Sequence, residues 1–278
     1  MSKRLFVYLL AVLFPFAGAA WADVTINATN FPDENFRVYV SDTLDTDGNG
    51  SLSDAEIAEV EEIDVGGKGI TDLTGIAFFT ALESLYCNSN GLTTLDVSSL
   101  TQLTALDCHN NVLTTLDVPG LDRLRLLHCY NNLLTELDVS YCTSLRYLSC
   151  RDNLIEDLYV NGCTALESLS CGNNRVEYLD VSDCTALETL TCYSNRISML
   201  DVSGCVNLKS LNCRNNQLTA LDLSGEHPKL ETPSLTQTIS GMAEAILTTD
   251  VTYPYQLDLD DNTGVNVADI ARIVSVDG

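Results

Sequence analysis

The sequence predicts an α/β repeat protein in which short parallel strands stack into a solenoid behind a small helical cap. Three observations support this fold class. A leucine-rich phrase recurs every 21 residues through the middle of the 278-residue chain, an acidic loop with metal-ligand spacing precedes it, and an apolar leader begins the chain. A unit of this length cannot bury its apolar face alone, so neighbouring units must share one continuous core.

The N-terminal segment, residues 1–22, has the layout of a secretory signal peptide. Lys3 and Arg4 precede an apolar run at residues 5–16, and small residues stand before a cleavage site after Ala22. The run is shorter than the roughly 20 residues that cross a bilayer, which favours export over a membrane anchor. We therefore expect an exported protein, secreted or at the cell surface, with no transmembrane segment in the mature chain.

Residues 23–59 are predicted to form a helical cap around a metal-binding loop. Pro32 opens a short helix, and residues 45–56 then read Asp-Thr-Asp-Gly-Asn-Gly-Ser-Leu-Ser-Asp-Ala-Glu. Oxygen donors stand at positions 1, 3, 5, 7, 9 and 12 of this loop and glycine stands at position 6, as in an EF-hand calcium loop. The predicted ligands are Asp45, Asp47, Asn49, the carbonyl of Ser51, Ser53 and Glu56.

The loop resembles an EF-hand, and its hard oxygen donors select calcium as the expected cofactor. An acidic surface turn that binds no metal is the alternative. EF-hands usually come in pairs, and the sequence shows no partner loop next to this one. We therefore expect a structural clamp at the open end of the solenoid, with the weak affinity of extracellular sites, roughly 0.1 to 1 mM.

The repeats occupy residues 60–228, as one degenerate capping turn followed by seven regular turns. The phrase L-x-x-L-x-C-x-x-N-x-(L/V/I)-x-x-L begins at Leu82, Leu103, Leu124, Leu145, Leu166, Leu187 and Leu208. Its asparagine slot holds Asn90, Asn111, Asn132, Asn153, Asn174, Asn195 and Asn216. The phrase resembles the leucine-rich repeat family, in particular the 21-residue repeats of internalin-like bacterial surface proteins. The resemblance implies a leucine-rich repeat solenoid that serves adhesion or recognition.

The regular slots predict roles for the asparagines and for the 11 cysteines. Each asparagine side chain is expected to bond backbone groups where the chain leaves a strand, and is therefore structural. Seven cysteines fill the inward slot of the phrase, and four more form a second column: Cys142, Cys163, Cys184 and Cys205. We expect two ladders of buried free thiols, although the distance between neighbouring turns also permits disulfides.

The return segment of each turn carries a column of acidic residues. The column contains Asp96, Asp117, Asp138, Asp180, Asp201 and Asp222, and Tyr159 replaces one member. Stacked carboxylates repel one another, so we expect this column to face water.

The C-terminal segment, residues 229–278, loses the repeat and is expected to be a linker followed by a strand-rich or calcium-loop module. Residues 258–269 place carboxylates and amides at several calcium-loop positions and faintly resemble one half of a dockerin. Thr263 stands where such a loop needs glycine. Both interpretations of this segment stay open.

The side chains beside the inward leucine and cysteine of each turn are expected to face solvent on the concave side of the solenoid. The candidate ligand-binding residues there are Tyr86, His109, His128, Tyr130, Tyr147, Arg151, Tyr193 and Arg214. Tyrosine and arginine dominate interface energetics, so we expect this face to bind a protein or glycan partner at a cell surface. The alternative is a structural spacer or assembly module with no ligand of its own.

Two function classes are not expected. Fourteen Lys and Arg residues against 39 Asp and Glu residues give a net charge of −25, which would repel nucleic acid. The three histidines lie in no acidic or nucleophilic constellation, and no metalloprotease, phosphate-loop or nucleophile-elbow motif is present. We therefore assign no catalytic residues and do not expect an enzyme.

Overall fold

The computed structural model describes residues 23–118, 120–140, 142–218, 220–222 and 235–236. The predicted signal peptide lies outside these described residues. The predicted C-terminal module, including residues 258–269, also lies outside them, apart from one two-residue strand.

The N-terminal cap consists of short helices and strands. Its elements are β1 Val24–Thr25, α1 Glu34–Tyr39, a π-helical turn at Val40–Leu44, β2 Ser51–Leu52 and α2 Asp54–Ala58. Asp33 caps α1, because its Oδ1 accepts the backbone N–H of Phe36 at 3.0 Å. The helix therefore begins at Glu34 and not at Pro32 as predicted. Asp33 is the N-cap, because its carboxylate accepts a backbone N–H of the first turn.

Among the described residues, nine short strands form the main parallel sheet. In chain order they are β3 Glu62–Asp64, β4 Ser84–Tyr86, β5 Ala105–Asp107, β6 Leu126–His128, β8 Tyr147–Ser149, β10 Ser168–Ser170, β12 Thr189–Thr191, β14 Ser210–Asn212 and β16 Leu235–Thr236. From β4 to β14, successive strands pair at a shift of 21 residues, which stacks the central leucines of neighbouring turns. The degenerate capping turn forms β3, which pairs Ile63 with Leu85. The predicted leucine-rich repeat solenoid is confirmed.

The return segments carry a second set of short parallel strands, which we call the outer strands. They are β7 Glu136–Asp138, β9 Asp157–Tyr159, β11 Leu179–Asp180, β13 Met199–Asp201 and β15 Ala220–Asp222. Strand β7 pairs with β9, and β11, β13 and β15 pair in that order.

In the acidic column, Asp96, Asp117, Asp138 and Asp201 are exposed, as predicted, and Asp180 is partly exposed. Four of these aspartates also close turns, because the backbone N–H of the serine two residues later donates to the carboxylate at 2.8 to 2.9 Å. This bond is present at Asp96, Asp138, Asp180 and Asp201. Aspartate and asparagine side chains commonly close turns in this way. The exposure of the column was predicted from the sequence, but this role in closing turns was not.

The slot asparagines join each turn to the turn before it. Asn111 donates from Nδ2 to the carbonyls of Cys87 and Cys108 at 3.0 Å, and its Oδ1 accepts the backbone N–H of Leu92 at 3.0 Å. The same three bonds recur at Asn90, Asn132, Asn153, Asn174, Asn195 and Asn216. The predicted structural role of these asparagines is confirmed.

A left-handed residue precedes each slot asparagine. These residues have φ between 52° and 57° and are Ser89, Asn110, Asn131, Asp152, Asn173, Ser194 and Asn215. Asparagine and aspartate tolerate this conformation better than other residues with a side chain, because their short polar groups can bond nearby backbone. The column turns the chain sharply away from the main sheet.

The cysteines form the two predicted ladders. All 11 lie among the described residues, and all are buried and free of disulfides. Thiols of the second column contact carbonyls of the preceding turn, with Cys163 Sγ 3.1 Å from the oxygen of Val139 and Cys205 Sγ 3.5 Å from that of Val181. Burial raises the pKa of the Cys171 thiol to about 12 and that of Cys142 to about 11.

Candidate functional site

The concave face carries a stack of three side chains from consecutive turns. The rings of His109 and Tyr130 lie 4.3 Å apart at an angle of 12°. The guanidinium group of Arg151 lies 4.4 Å from the centre of the Tyr130 ring. His109 is one turn before Tyr130 and Arg151 is one turn after it, so the two side chains cover opposite faces of the ring. The stack forms because all three residues occupy the same place beyond their strands, two positions after the strand ends.

Asp107 lies between two histidines beside this stack. Nδ1 of His109 is 2.5 Å from Asp107 Oδ1, and Nδ1 of His128 is 3.6 Å from Asp107 Oδ2. Burial opposes the ionisation of Asp107, but hydrogen bonds from His128 and His109 outweigh it and lower the pKa of this carboxyl. The expectation that these histidines have no acidic group around them is wrong, because strand pairing sets Asp107 beside His128.

A second cluster lies further along the same column. The guanidinium group of Arg214 lies 5.4 Å from the centre of the Tyr193 ring. Gly172, one turn earlier, makes room for this ring, since a Cβ atom at Gly172 would lie 2.6 Å from a Tyr193 ring carbon. Glycine at this position therefore lets the Tyr193 ring lie against the backbone of the preceding turn.

The other two predicted tyrosines lie on neighbouring columns, outside both clusters. The hydroxyl of Tyr147 donates to Glu167 at 2.9 Å, and Arg146 forms an ion pair with the same carboxylate. Tyr86 lies beside Asp107 in the strand ladder.

Acidic partners of the concave Arg151 and of Arg146, the residue before Tyr147, were missed at the sequence level. Arg151 pairs with Asp152, and Arg146 pairs with Glu167. The signal for the second pair was visible, because residues 146 and 167 are one repeat apart. Together the concave side chains offer imidazole, phenol and guanidinium donors with nearby carboxylate acceptors, which suits hydrogen bonding to a partner surface.

The acidic loop brings its three predicted carboxylate ligands together. One carboxylate oxygen from each of Asp45, Asp47 and Glu56 lies within 4.8 Å of the other two. The loop turns sharply at Gly50, whose φ of +82° is readily adopted only by glycine. Asp45 is buried, whereas Asp47 is exposed, so the cluster opens towards solvent.

Hydrogen bonds within the loop hold these carboxylates. Asp45 Oδ2 accepts the backbone N–H of Gly50 at 2.8 Å, and Glu56 Oε1 accepts that of Thr46 at 2.7 Å. Hydrogen bonds from Ser53, and then from Thr46, lower the pKa of Glu56 to about 2. The resulting concentration of negative charge is one that a divalent cation would neutralise.

The remaining predicted ligands also belong to the loop's own hydrogen bonds. Oδ1 of Asn49 accepts the backbone N–H of Ser51 at 2.8 Å. Ser53 caps α2, because its Oγ accepts the backbone N–H of Glu56 while the Glu56 carboxylate accepts the backbone N–H of Ser53. The predicted donor atoms are all oxygens, which fits calcium better than the softer transition metals.

The N-terminal strand pairs with the loop. Strand β1 runs antiparallel to β2, with Val24 opposite Leu52, and the backbone N–H of Ile26 donates to the carbonyl of Gly50 at 3.0 Å. The sequence showed no second loop beside this one, and β1 supplies the strand that pairs with it. The loop is thereby tied to the buried side chains of Phe36 and Leu52 in the cap core.

Comparisons with known proteins agree with this geometry. Residues 80–122 and 185–225 match the family described as Leucine Rich repeats (2 copies). Internalin J of Listeria monocytogenes serotype 4b (strain F2365) is 35% identical over 71 residues, which are 26% of this chain and 8% of internalin J. The solved functional domain of InlJ from Listeria monocytogenes, which includes a cysteine ladder, is 32% identical with a TM-score of 0.56, over 79% of this chain and 57% of that domain.

The chain is a leucine-rich repeat solenoid that is similar to the internalins.

A second solved structure shares the fold of this internalin-like protein. Internalin C2 of Listeria monocytogenes strain 4b F2365 is 24% identical with a TM-score of 0.59, over 72% of this chain and 91% of that one. The matched stretch spans only 8% of the curated relative, and the matched family repeats do not include the loop at residues 45–56. Within the part of this internalin-like protein that the structure describes, no helix has the length and apolar character needed to cross a membrane.

Proposed function

We propose that this internalin-like protein is exported, is stabilised by calcium at its cap, and binds a protein or glycan partner through its concave face. The stack of His109, Tyr130 and Arg151 is the observation that carries the proposal. Each of these side chains is held by its neighbours, so a partner need not immobilise them on binding, which reduces the entropic cost. Seven strands about 4.8 Å apart extend such contacts over roughly 30 Å.

The geometry of the stack favours a protein partner over a glycan. Both faces of the Tyr130 ring are covered, one by His109 and the other by Arg151. A sugar that packs on an aromatic face would have to displace one of them. The phenol hydroxyl of Tyr130 and the guanidinium nitrogens that Arg151 does not use to bind Asp152 suit the carbonyls and polar side chains of a polypeptide.

Calcium has a structural role in this proposal. The loop lies between α1 and the first turn of the solenoid, and its strand β2 places Leu52 in the core with Phe36. Solenoid ends need a cap, because an open end exposes the shared core. A cation that neutralises the carboxylates of Asp45, Asp47 and Glu56 would therefore stabilise the cap over the first repeat.

A pair of matched variants tests the concave face. One changes Tyr130, Arg151 and Tyr193 together to Ala, and the other changes Val112, Leu133 and Arg175, which are exposed on the return side, to Ala. Both remove two large side chains and one arginine, so general losses of stability or charge are balanced. The mature chain and both variants would be applied to arrays of extracellular proteins and glycans.

The concave variant should lose the signals of the wild type, whereas the return-side variant should keep them. Loss of one interface hot spot typically weakens binding by about 2 kcal/mol or more. Equal retention of every array signal by both variants would refute the concave site and favour the structural spacer.

A further inference from the structure

The two most exposed large apolar side chains in the described part of the chain lie at the start of outer strands, away from the concave face. Tyr178 is 66% exposed and Met199 is 58% exposed. Strand pairing sets these two residues side by side, one position before the paired leucines of β11 and β13. Tyr159, 46% exposed, lies at the end of β9 one turn earlier. We call these three side chains the outer patch.

Carboxylates surround the outer patch. The two columns that contain it also hold Glu136, Asp138, Asp157, Asp180 and Asp201, and no lysine or arginine occupies any of these eight described positions. The nearest arginines on the neighbouring column already have acidic partners. Arg175 lies 3.5 Å from Glu156, and Arg196 lies 3.7 Å from Glu177. The patch is therefore an apolar centre with an uncompensated acidic rim.

We propose that the outer patch is a second binding surface, which takes a basic polypeptide segment with apolar side chains. An apolar centre rich in tyrosine and methionine with a polar rim is the usual anatomy of a protein interface. The acidic rim adds charge complementarity, which speeds association with a basic partner and excludes an acidic one. This surface lies apart from the concave stack, so the proposal does not depend on what the concave face binds.

Charge also argues against two other occupants. A second copy placed on the patch by two-fold symmetry would set one acidic rim against an identical rim. The chain's own residues 237–278 contain seven Asp and Glu residues and one Arg, so they would be repelled as well. A basic partner from another molecule is the occupant that satisfies both the apolar centre and the rim.

Two labelled peptides test the proposal on the mature chain. One alternates lysine and leucine, and the other is an oligolysine with the same number of lysines. Fluorescence anisotropy should show that the lysine–leucine peptide binds about tenfold more tightly. Burial of one Tyr or Met side chain strengthens binding by about that factor. The variant Tyr178→Ser with Met199→Ser should remove this preference while leaving oligolysine binding unchanged.

Val112 and Leu133 provide the matched control. They are also neighbouring exposed apolar residues, 42% and 44% exposed, but their column has no acidic rim. Changing both to Ser should leave the preference intact, as should the concave variant at Tyr130, Arg151 and Tyr193. The proposal would be overturned if the control variant lost the preference for the lysine–leucine peptide to the same extent. It would also be overturned if the Tyr178 and Met199 variant kept that preference. If that double variant unfolds, Tyr159→Ser provides the same comparison.

Two further measurements check the rejected occupants. Analytical sedimentation tests for a dimer. If the wild type is a dimer and the variant Tyr178→Ser with Met199→Ser is a monomer, a second copy occupies the patch and the proposal is overturned. A photocrosslinker at position 178 could instead react with residues 237–278 of its own chain. That result would overturn the proposal in favour of an intrachain contact. A monomer without such a crosslink supports a separate basic partner.

Discussion

Asp33 joins the cap to the solenoid through Thr71. Its Oδ2 accepts the backbone N–H of Thr71 at 2.8 Å and the Thr71 hydroxyl at 3.0 Å, while its Oδ1 caps α1. Burial opposes the ionisation of Asp33, but hydrogen bonds from Thr71 and Phe36 outweigh it and lower its pKa. One carboxylate therefore holds both the first helix and the first turn of the repeats.

Replacement of Asp33 by Ala should uncouple the cap. Loss of the N-cap and of the bonds to Thr71 should lower the free energy of unfolding by about 2 kcal/mol, measured by urea denaturation. Asp33→Ser should recover part of the loss, because serine caps a helix but is too short to reach Thr71. Limited proteolysis should then cut residues 30–65 before the central repeats. Identical denaturation of Asp33→Ala and Asp33→Ser would show that the N-cap contributes nothing, and identical denaturation of Asp33→Ser and the wild type would show the same for the contact with Thr71.

Replacing a slot asparagine should destabilise the protein far more than replacing the left-handed residue that precedes it. Asn132→Ala removes three hydrogen bonds and leaves buried backbone groups of Leu113, Cys108 and Cys129 without this partner. We expect a loss of about 3 kcal/mol in urea denaturation. Asn131→Gly is the control, because its φ of +54° suits glycine and its side chain is exposed, so the change should be within about 0.5 kcal/mol. Equal losses of stability at both positions would contradict the structural role of the slot asparagines.

The buried thiols should make the protein sensitive to alkali. A cysteine titrates near pH 8.5 in an unfolded chain, whereas burial raises the folded pKa of Cys184 and Cys205 to about 12. The folded state then keeps protons that the unfolded state loses, so the stabilisation is complete below about pH 8.5 and declines as pH rises towards 12. Each such thiol contributes a slope of about 1.4 kcal/mol per pH unit.

Urea denaturation between pH 8 and pH 11 measures this slope. Cys184→Ala with Cys205→Ala should show a shallower decline than the wild type, despite its lower stability at pH 7. In parallel, denatured wild-type protein should react with a thiol reagent at close to all 11 cysteines without prior reduction, and folded protein should react slowly. A pH-independent midpoint, or thiols that are mostly oxidised, would rule out the free-thiol ladders.

Export predicts a defined N-terminus. Processing after Ala22 would remove Lys3 and Arg4 and leave a chain that begins Asp-Val-Thr. N-terminal sequencing of the protein produced in a secreting bacterial host should give this order. An intact N-terminal Met in that fraction would contradict the signal-peptide assignment.

The period of the sequence was sufficient to predict the stacking of the repeats. A strict spacing of 21 residues aligns Leu85 with Leu106 and Leu127, so strand register and both cysteine ladders followed from counting. The concave columns followed in the same way, because side chains alternate along a strand. The capping turn at Ile63 was visible too, since its apolar spacing survives without the asparagine.

The features that were missed depend on contacts between turns or on side-chain geometry. The N-cap role of Asp33 and the pairing of β1 with the loop join segments that share no periodic signal. The position of Asp107 between two histidines follows only when the strands are placed side by side. The outer patch is formed by Tyr159, Tyr178 and Met199 of successive turns. None of these residues follows the repeat pattern, so their adjacency was not predicted.

Calcium binding at the Asp45–Glu56 loop is central to the proposed function, and the cation itself serves as the probe. Thermal denaturation of chelator-treated mature chain, with and without calcium at about a hundred times Kd, is the most direct measurement. Binding to the folded state alone should add about 2.7 kcal/mol, which raises the midpoint by roughly 5 to 10 °C. Asp45→Ala with Glu56→Ala should abolish the rise, and the matched change of Asp42 and Glu59 to Ala should retain it. If wild type and the Asp45 and Glu56 variant melt together with and without calcium, the loop is an acidic turn and the calcium assignment is wrong.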